Sequence, residues 1–430
     1  MSRILRKALV LIRDGWLIVG ISAVLFLFIE IISILILRYW SIGNNDTSTY
    51  DHRVAADAYH DADWPKRYYE ELRGTGTLDW VSYVYWRRAP FKGQYVNVDS
   101  QGHRKTWSPD DGKDRSHIHP KIFFFGGSTM WGSGARDEFT IPSLFGKGLE
   151  AKGVHAQVVN FGEGGYVSTQ EVIQLLRALQ RGNIPDLAVF YDGFNDTYSA
   201  FQNRKAGLPE NEINRVREFN SSKRVTLPLL RSLIANNFSS VQILRQVLGQ
   251  LGKSDGSARV AQDGLQHSIG QMTAVDKALA NDVLDLYEKN IELVRSLAER
   301  YSFKVLFYWQ PTVFQKKELT KYEEEERLRS IDIATFFDFT YKLLNRHEIT
   351  RNPESVFHDL SRVFAESREP LFVDRCHLGE IGNEYIAGWI LRDAIPLLEQ
   401  MKFSCTQRSA RNAPSVQFQE AANLIPSIER

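Results

Sequence analysis

Lys121 to Gly132 reads K-I-F-F-F-G-G-S-T-M-W-G, and the apolar run Ile122, Phe123, Phe124, Phe125 in its first half is halted by Gly126 and Gly127. A run this short, without alternation, predicts a strand covered on both faces that ends in a tight turn. Ser128 follows directly. A hydroxyl on a glycine turn at the carboxyl end of a central strand stands where open α/β sheets receive ligands, and there it can be aimed for attack. The same letters also describe a polar turn in which Ser128 or Thr129 caps the next helix. What else the chain brings to that sheet edge decides between the two readings.

After Ser128, a helical stretch from Ile141 to Lys152 leads to a second strand, Ala156 to Phe161, which ends in N-F-G-E-G-G-Y-V-S-T-Q (Asn160 to Gln170). Glycines 162, 164 and 165 bring bare backbone amides close to whatever the strand end faces. Neither nucleotide fingerprint, G-x-G-x-x-G or G-x-x-x-x-G-K-[ST], is met. A helix from Thr169 to Arg181 then precedes a third strand, Leu187 to Tyr191, closed by D-G-F-N-D (Asp192 to Asp196). Alternating strands and helices predict a parallel sheet, with Ser128, the glycines and Asn195 gathered on one edge. Asp196 reads as a helix cap or as a residue that orients the loop.

Far downstream, Pro370 to His377 reads P-L-F-V-D-R-C-H, followed by a helix to about Glu399. Asp374 and His377, three apart on one turn, can set a carboxylate against imidazole Nδ1 so that Nε2 faces a serine.

The four blocks G-G-S-T (126–129), N-F-G-E-G-G-Y (160–166), G-F-N-D (193–196) and D-R-C-H (374–377) occur in the order of the SGNH or GDSL hydrolase family, which the chain resembles over residues 121–200 and about 285–400. One departure is that Gly127 stands where many members have aspartate. The resemblance implies a three-layer α/β/α sandwich with a mainly parallel, flavodoxin-like sheet. It implies Ser128 as nucleophile, His377 as general base and then acid, and Asp374 as the residue that fixes the histidine tautomer. The oxyanion hole would be Ser128 N–H, Gly165 N–H and the Asn195 side chain, with the register among glycines 162, 164 and 165 left open by the sequence.

Trp16 to Leu37 is apolar apart from small hydroxyls and Glu30, and as a helix it would extend about 33 Å. The expected anchor occupies residues 16–38. Arg3, Arg6, Lys7 and Arg13 precede it, and little positive charge follows. By the positive-inside rule, residues 1–15 stay cytoplasmic and the rest is exported to a periplasmic or other extracytoplasmic side. Glu30 inside the span either meets another membrane protein or snorkels to the interface.

The remaining chain is divided into a polar and aromatic lead-in at 41–120, with an edge strand and hairpin at Tyr95 to Arg104, a catalytic domain at 121–400, and a mobile tail at 404–430. An insertion at about 203–285, including a helical piece from Leu227 to Leu251, is expected to form a lid or substrate wall. Tyr287 to Arg300 reads as a helix and Phe303 to Trp309 as a further core strand. Lys316 to Arg329, with E-E-E-E at 323–326, reads as a solvated helix face.

The net charge of +1 leaves no electrostatic surface for nucleic acid. His117 and His119 lack a third ligand at metal-binding spacing, and no metal or organic cofactor is expected. Cys376 and Cys405 are the only cysteines; they either form one disulfide or stay free. Together these readings describe a membrane-anchored serine ester hydrolase that forms an acyl-serine. Its expected substrate is an O-acyl, often acetyl, group on an envelope polysaccharide or glycoconjugate. An O-acyltransferase using the same residues, a lipid esterase and a non-catalytic envelope protein are the alternatives.

Overall fold

The computed structural model describes residues 3–44, 51–60, 62–108, 119–221, 238–241, 272–351 and 356–404. Helix α1, Arg3–Asn44, comes first, and its stretch Arg13–Ile36 is long and apolar enough to cross a membrane. Its large apolar side chains from Trp16 to Ile36 are exposed, as expected of a helix that packs against lipid rather than a protein core.

The lead-in forms helix α2 (Pro65–Gly74), the hairpin β1 (Leu78–Val81) and β2 (Tyr85–Arg88), and the short pair β3 (Phe91–Lys92) and β4 (Asn97–Val98). Arg104 bridges antiparallel to both Val98 and Asn160. The segment from Tyr95 to Arg104 thus lies along the edge of the main sheet, as its alternation predicts.

That sheet contains β5 (Lys121–Gly126), β6 (Gln157–Asn160), β7 (Leu187–Asp192), β8 (Lys304–Trp309) and β9 (Phe357–Asp359), all parallel, in the order β6-β5-β7-β8-β9. This is the doubly wound order in which the chain reverses direction between its first and third strands, leaving a crevice at their carboxyl ends. Along β5 the pleat sends Phe123 and Phe125 to one face and Ile122 and Phe124 to the other, which is why the run shows no alternation. Phe161, Phe125, Phe190 and Phe307 stack in a row across the first face, with successive centroids 5.0, 4.8 and 4.6 Å apart.

Between the strands lie α3 (Ser128–Trp131), α4 (Ile141–Ala151), α5 (Ser168–Gln180), α6 (Phe194–Asn203), α7 (Glu212–Ser221), α8 (Ala274–Tyr301), α9 (Lys321–Arg329), α10 (Ile331–Leu344) and α11 (Glu348–Arg351), with α12 (Glu380–Ser404) last. Helices α5, α8 and α10 cover the phenylalanine face, and α4 and α12 cover the other. The result is a three-layer α/β/α sandwich.

Two elements differ from the sequence reading. Helix α8 starts well before Tyr287, because Thr273 and Asp276 form a reciprocal capping box at its start. The glutamate run on α9 is only half solvated. Glu324 and Glu325 are exposed, whereas Glu323 is 0% and Glu326 5% exposed. Glu323 is drawn inward because it pairs with buried Lys316 at 2.5 Å and accepts the amides of Leu371 and Phe372 at 3.0 and 3.2 Å.

Candidate active site

Ser128 is the first residue of α3, and Gly127 is its N-cap. The capping reading of Ser128 and Thr129 therefore fails: no side chain caps this turn, and the serine hydroxyl is left for another partner. That partner is His377, whose Nε2 lies 2.7 Å from Ser128 Oγ. His377 Nδ1 lies 2.6 Å from Asp374 Oδ2. Asp374 Oδ1 accepts the backbone amides of Cys376 (3.0 Å) and His377 (2.9 Å). The loop holding these residues is pinned at its base by Val373 N to His377 O, 2.9 Å, and Gly379 N to Leu371 O, 2.8 Å.

Burial alone would raise the Asp374 pKa, but the His377 ring, Arg53 and the backbone amide outweigh it and hold the carboxyl well below its usual range. Asp374 is therefore a carboxylate that fixes Nδ1 as the protonated nitrogen, leaving Nε2 as an acceptor for the Ser128 proton. Burial first, and then Asp374, push the Cys376 thiol up. Asp374, Cys376 and His377 place ligand-type atoms within 4.8 Å of one another. Both imidazole nitrogens are already committed and the thiol is protonated, so the cluster suits proton transfer better than metal binding.

The structure also brings Gly165 and Asn195 to the Ser128 cleft. Of the three candidate glycines, Gly162 N donates to Asn160 Oδ1 (2.9 Å) and Gly164 N to Glu163 Oε1 (2.8 Å). Gly165 N has no acceptor among the described residues, and its φ of +76° is the left-handed turn that favours glycine. Asn195 is the second residue of α6, in the turn that follows β7. One of its amide hydrogens is held by Tyr166 O at 2.8 Å, which leaves the other available to a ligand. Gly127 permits this packing, since a Cβ there would collide with Asn195 Nδ2. Asp196 is buried and accepts from Ser168 N (3.1 Å) and Ser168 Oγ (2.6 Å), capping the start of α5 from the neighbouring strand end.

The cleft measures about 670 Å³ and is also lined by Arg53, Arg73, Glu210, Glu326, Arg329 and Arg375. The sequence marks none of these as a site residue: Glu326 and Arg329 read as a solvated helix face, Arg375 as a spacer in the D-R-C-H block, and Arg53, Arg73 and Glu210 as isolated charges. Arg375, between the two loop residues of interest, lies over the rings of Phe194 (5.5 Å) and Tyr198 (5.0 Å). Glu210, from the first part of the insertion, stands over Gly165, where an added Cβ would meet its Oε2 at 2.6 Å. Burial raises the Glu210 pKa, opposed by Arg375 and Arg215. A larger groove of about 850 Å³ lies beside Lys304 at the opposite end of β8 and holds no nucleophile paired with a base. His117 and Cys405 lie outside the described residues, so the structure leaves the histidine pair and the Cys376–Cys405 bridge where the sequence left them.

No family model and no curated protein matches this sequence. Among solved structures, the chain is similar to an acetyl xylan esterase at 17% identity, covering 64% of this chain and 98% of that one, with a TM-score of 0.33. It is similar to an acetylxylan esterase from Geobacillus stearothermophilus at 16% identity, covering 64% and 93%, with a TM-score of 0.31. A lipase/acylhydrolase from Enterococcus faecalis matches at 15% identity, covering 64% and 95%, with a TM-score of 0.32. Superposition at this level carries no functional detail.

Proposed function

We propose that this chain is a serine ester hydrolase of the SGNH or GDSL type, anchored in a membrane by α1, with its catalytic domain on the exported side. The observation that carries the reading is the continuous relay of Ser128 Oγ, His377 and Asp374, at 2.7 and 2.6 Å. His377 Nε2 takes the Ser128 proton as Oγ attacks the ester carbonyl, and returns it to the leaving alcohol. The acyl-serine is then hydrolysed by a water activated in the same way. Ser128 N–H, Gly165 N–H and the free Asn195 amide hydrogen receive the negative charge that appears on the carbonyl oxygen in each tetrahedral transition state.

The cleft wall favours a polar substrate. A long acyl chain laid against Arg53, Arg73, Glu210, Glu326, Arg329 and Arg375 would desolvate charged groups without replacing their partners. Sugar hydroxyls can pair with them. This supports a short O-acyl group, such as acetyl, on a glycan or glycoconjugate over a lipid ester.

The test is hydrolysis of p-nitrophenyl esters of two to eight carbons by the full chain in detergent, alongside Ser128→Ala. Activity confined to short acyl groups and lost in the variant is the expected result. Folded wild-type protein with no activity on any ester would overturn the hydrolase reading.

A further inference from the structure

Glu30 sits six residues before the end of the apolar stretch Arg13–Ile36, about 9 Å below that end at 1.5 Å per residue. A carboxylate at that depth is costly unless paired. The partner is in the same chain. Glu30 accepts Ser239 N at 2.8 Å and Ser240 N at 3.1 Å, and it also accepts the Ser240 hydroxyl. One helical turn earlier, Phe26 packs edge to face on Phe238 with ring centroids 5.2 Å apart. Ser33, three residues after Glu30 and on the same face, is 6% exposed, whereas Ile29, Ile31 and Ile34 are about half exposed.

Each side of this contact meets a requirement of the other. Amides without an intrahelical partner, such as those of Ser239 and Ser240 at the start of a helical turn, cannot enter hydrocarbon unpaired. Glu30 supplies their acceptor, and they supply its donors. The sequence that follows keeps apolar residues at 241, 244, 248 and 251, a helical period.

We propose that the insertion returns to the bilayer, with Phe238–Val241 docking on the Phe26–Glu30–Ser33 face of α1 below the membrane surface. This inference rests on reading α1 as the anchor. Glu30 then has its partner within the chain, where the sequence left a second membrane protein or the interface, and Phe238–Val241 lies against the anchor, while most of the insertion expected as a lid, including Leu227 to Leu251, lies outside the described residues. The catalytic domain is then tied to the membrane at two points. Glu210, earlier in the same insertion, lines the cleft, so the insertion contributes both to the cleft wall and to the contact with the anchor.

The test uses the full chain in native membranes, carrying Cys405→Ser, Phe26→Cys and Phe238→Cys. Mild oxidation should give an intrachain disulfide, seen as a linked peptide pair by mass spectrometry on a species that stays monomeric in a non-reducing gel. Adding Glu30→Ala should lower its yield at least fivefold. In Cys405→Ser protein carrying Ser239→Cys, a membrane-impermeant maleimide should leave the peptide containing position 239 unlabelled, read apart from Cys376 by mass spectrometry, until Glu30 is replaced. Protein that resists alkaline carbonate extraction and hydrolyses esters, but gives no disulfide or only an interchain one, overturns the second membrane contact and leaves the anchored hydrolase intact. Protein that washes off the membrane overturns the anchor and this inference with it.

Discussion

Arg53 Nη1 stands 3.5 Å from Asp374 Oδ2, so the lead-in segment reaches the carboxylate that orients His377. The guanidinium is held by two bonds to Asp51, of 2.9 and 2.8 Å, and lies 4.6 Å over the Tyr69 ring. Because Asp374 is held well below the usual carboxylate range, no acid limb of the pH–rate profile between pH 5 and 9 should belong to it. Arg53→Met should lower kcat several-fold, about 1 kcal/mol for a partly exposed ion pair, with KM for a p-nitrophenyl ester little changed. Unchanged kcat in folded protein would show that Arg53 only packs.

The departure at Gly127 has a steric partner. Its φ of −76° suits any residue, so a side chain there brings no backbone strain. The added Cβ instead collides with Asn195 Nδ2. Asn195→Ala should raise the barrier by about 2.7–4 kcal/mol, roughly 10²- to 10³-fold in kcat. Gly127→Ala should approach that loss with a melting temperature near wild type. The double variant should be no worse than Asn195→Ala alone, since both changes remove the same donor. Additive losses from the two substitutions would separate Gly127 from the oxyanion site.

How much was legible follows from how local each signal is. The strand at Lys121–Gly126, the turn serine and the Asp374–His377 pair are visible because burial on both faces and a one-turn spacing leave marks within a few residues. Gly165 could be told from Gly162 and Gly164 only once Asn160 and Glu163 were seen to occupy the other two amides. Arg53 and Glu210 carry no pattern at all, since they reach the cleft from separate parts of the fold. Thr273 and Asp276 were readable as a capping box and would have placed the start of α8. The glutamate run misled because composition describes a helix face only until one residue finds a buried cation, as Glu323 does in Lys316.

That pair gives a stability prediction. Glu323 is bound to Lys316 Nζ, Thr320 N, Leu371 N and Phe372 N, and the last two amides begin the loop that carries Asp374 and His377. Glu323→Ala leaves a buried ammonium without its counter-charge and should cost about 3–5 kcal/mol. Glu324→Ala and Glu325→Ala, two changes on the solvated side of the same run, should each stay within about 0.5 kcal/mol. Chemical denaturation of the three variants would measure the contrast, and equal losses would return the whole run to the surface.

Behind the cleft, the fully buried carboxyls of Glu171 and Asp192 act on one another, the Glu171 oxygens meet no donor among the described residues, and Tyr287 Oη donates to Asp192 Oδ2 at 3.0 Å. Two carboxyls in contact need a proton between them. Burial, reinforced by Asp196, pushes Asp192 up to about 8, and burial together with Asp192 raises Glu171 well above its usual value. Folding therefore takes up protons wherever the unfolded chain has released them. A raised carboxyl contributes stability that is complete below its unfolded value near 4 and is lost as pH rises toward the folded value. Glu171→Gln keeps a donor toward Asp192 and removes one such uptake. Its melting temperature should match wild type near pH 4.5 and exceed it increasingly up to pH 8. A gain of roughly 1–3 kcal/mol is expected there, at about 2–4 °C per kcal/mol for a domain of this size. A difference that stays constant from pH 4.5 to 8 would show that Glu171 is ionised in the folded protein.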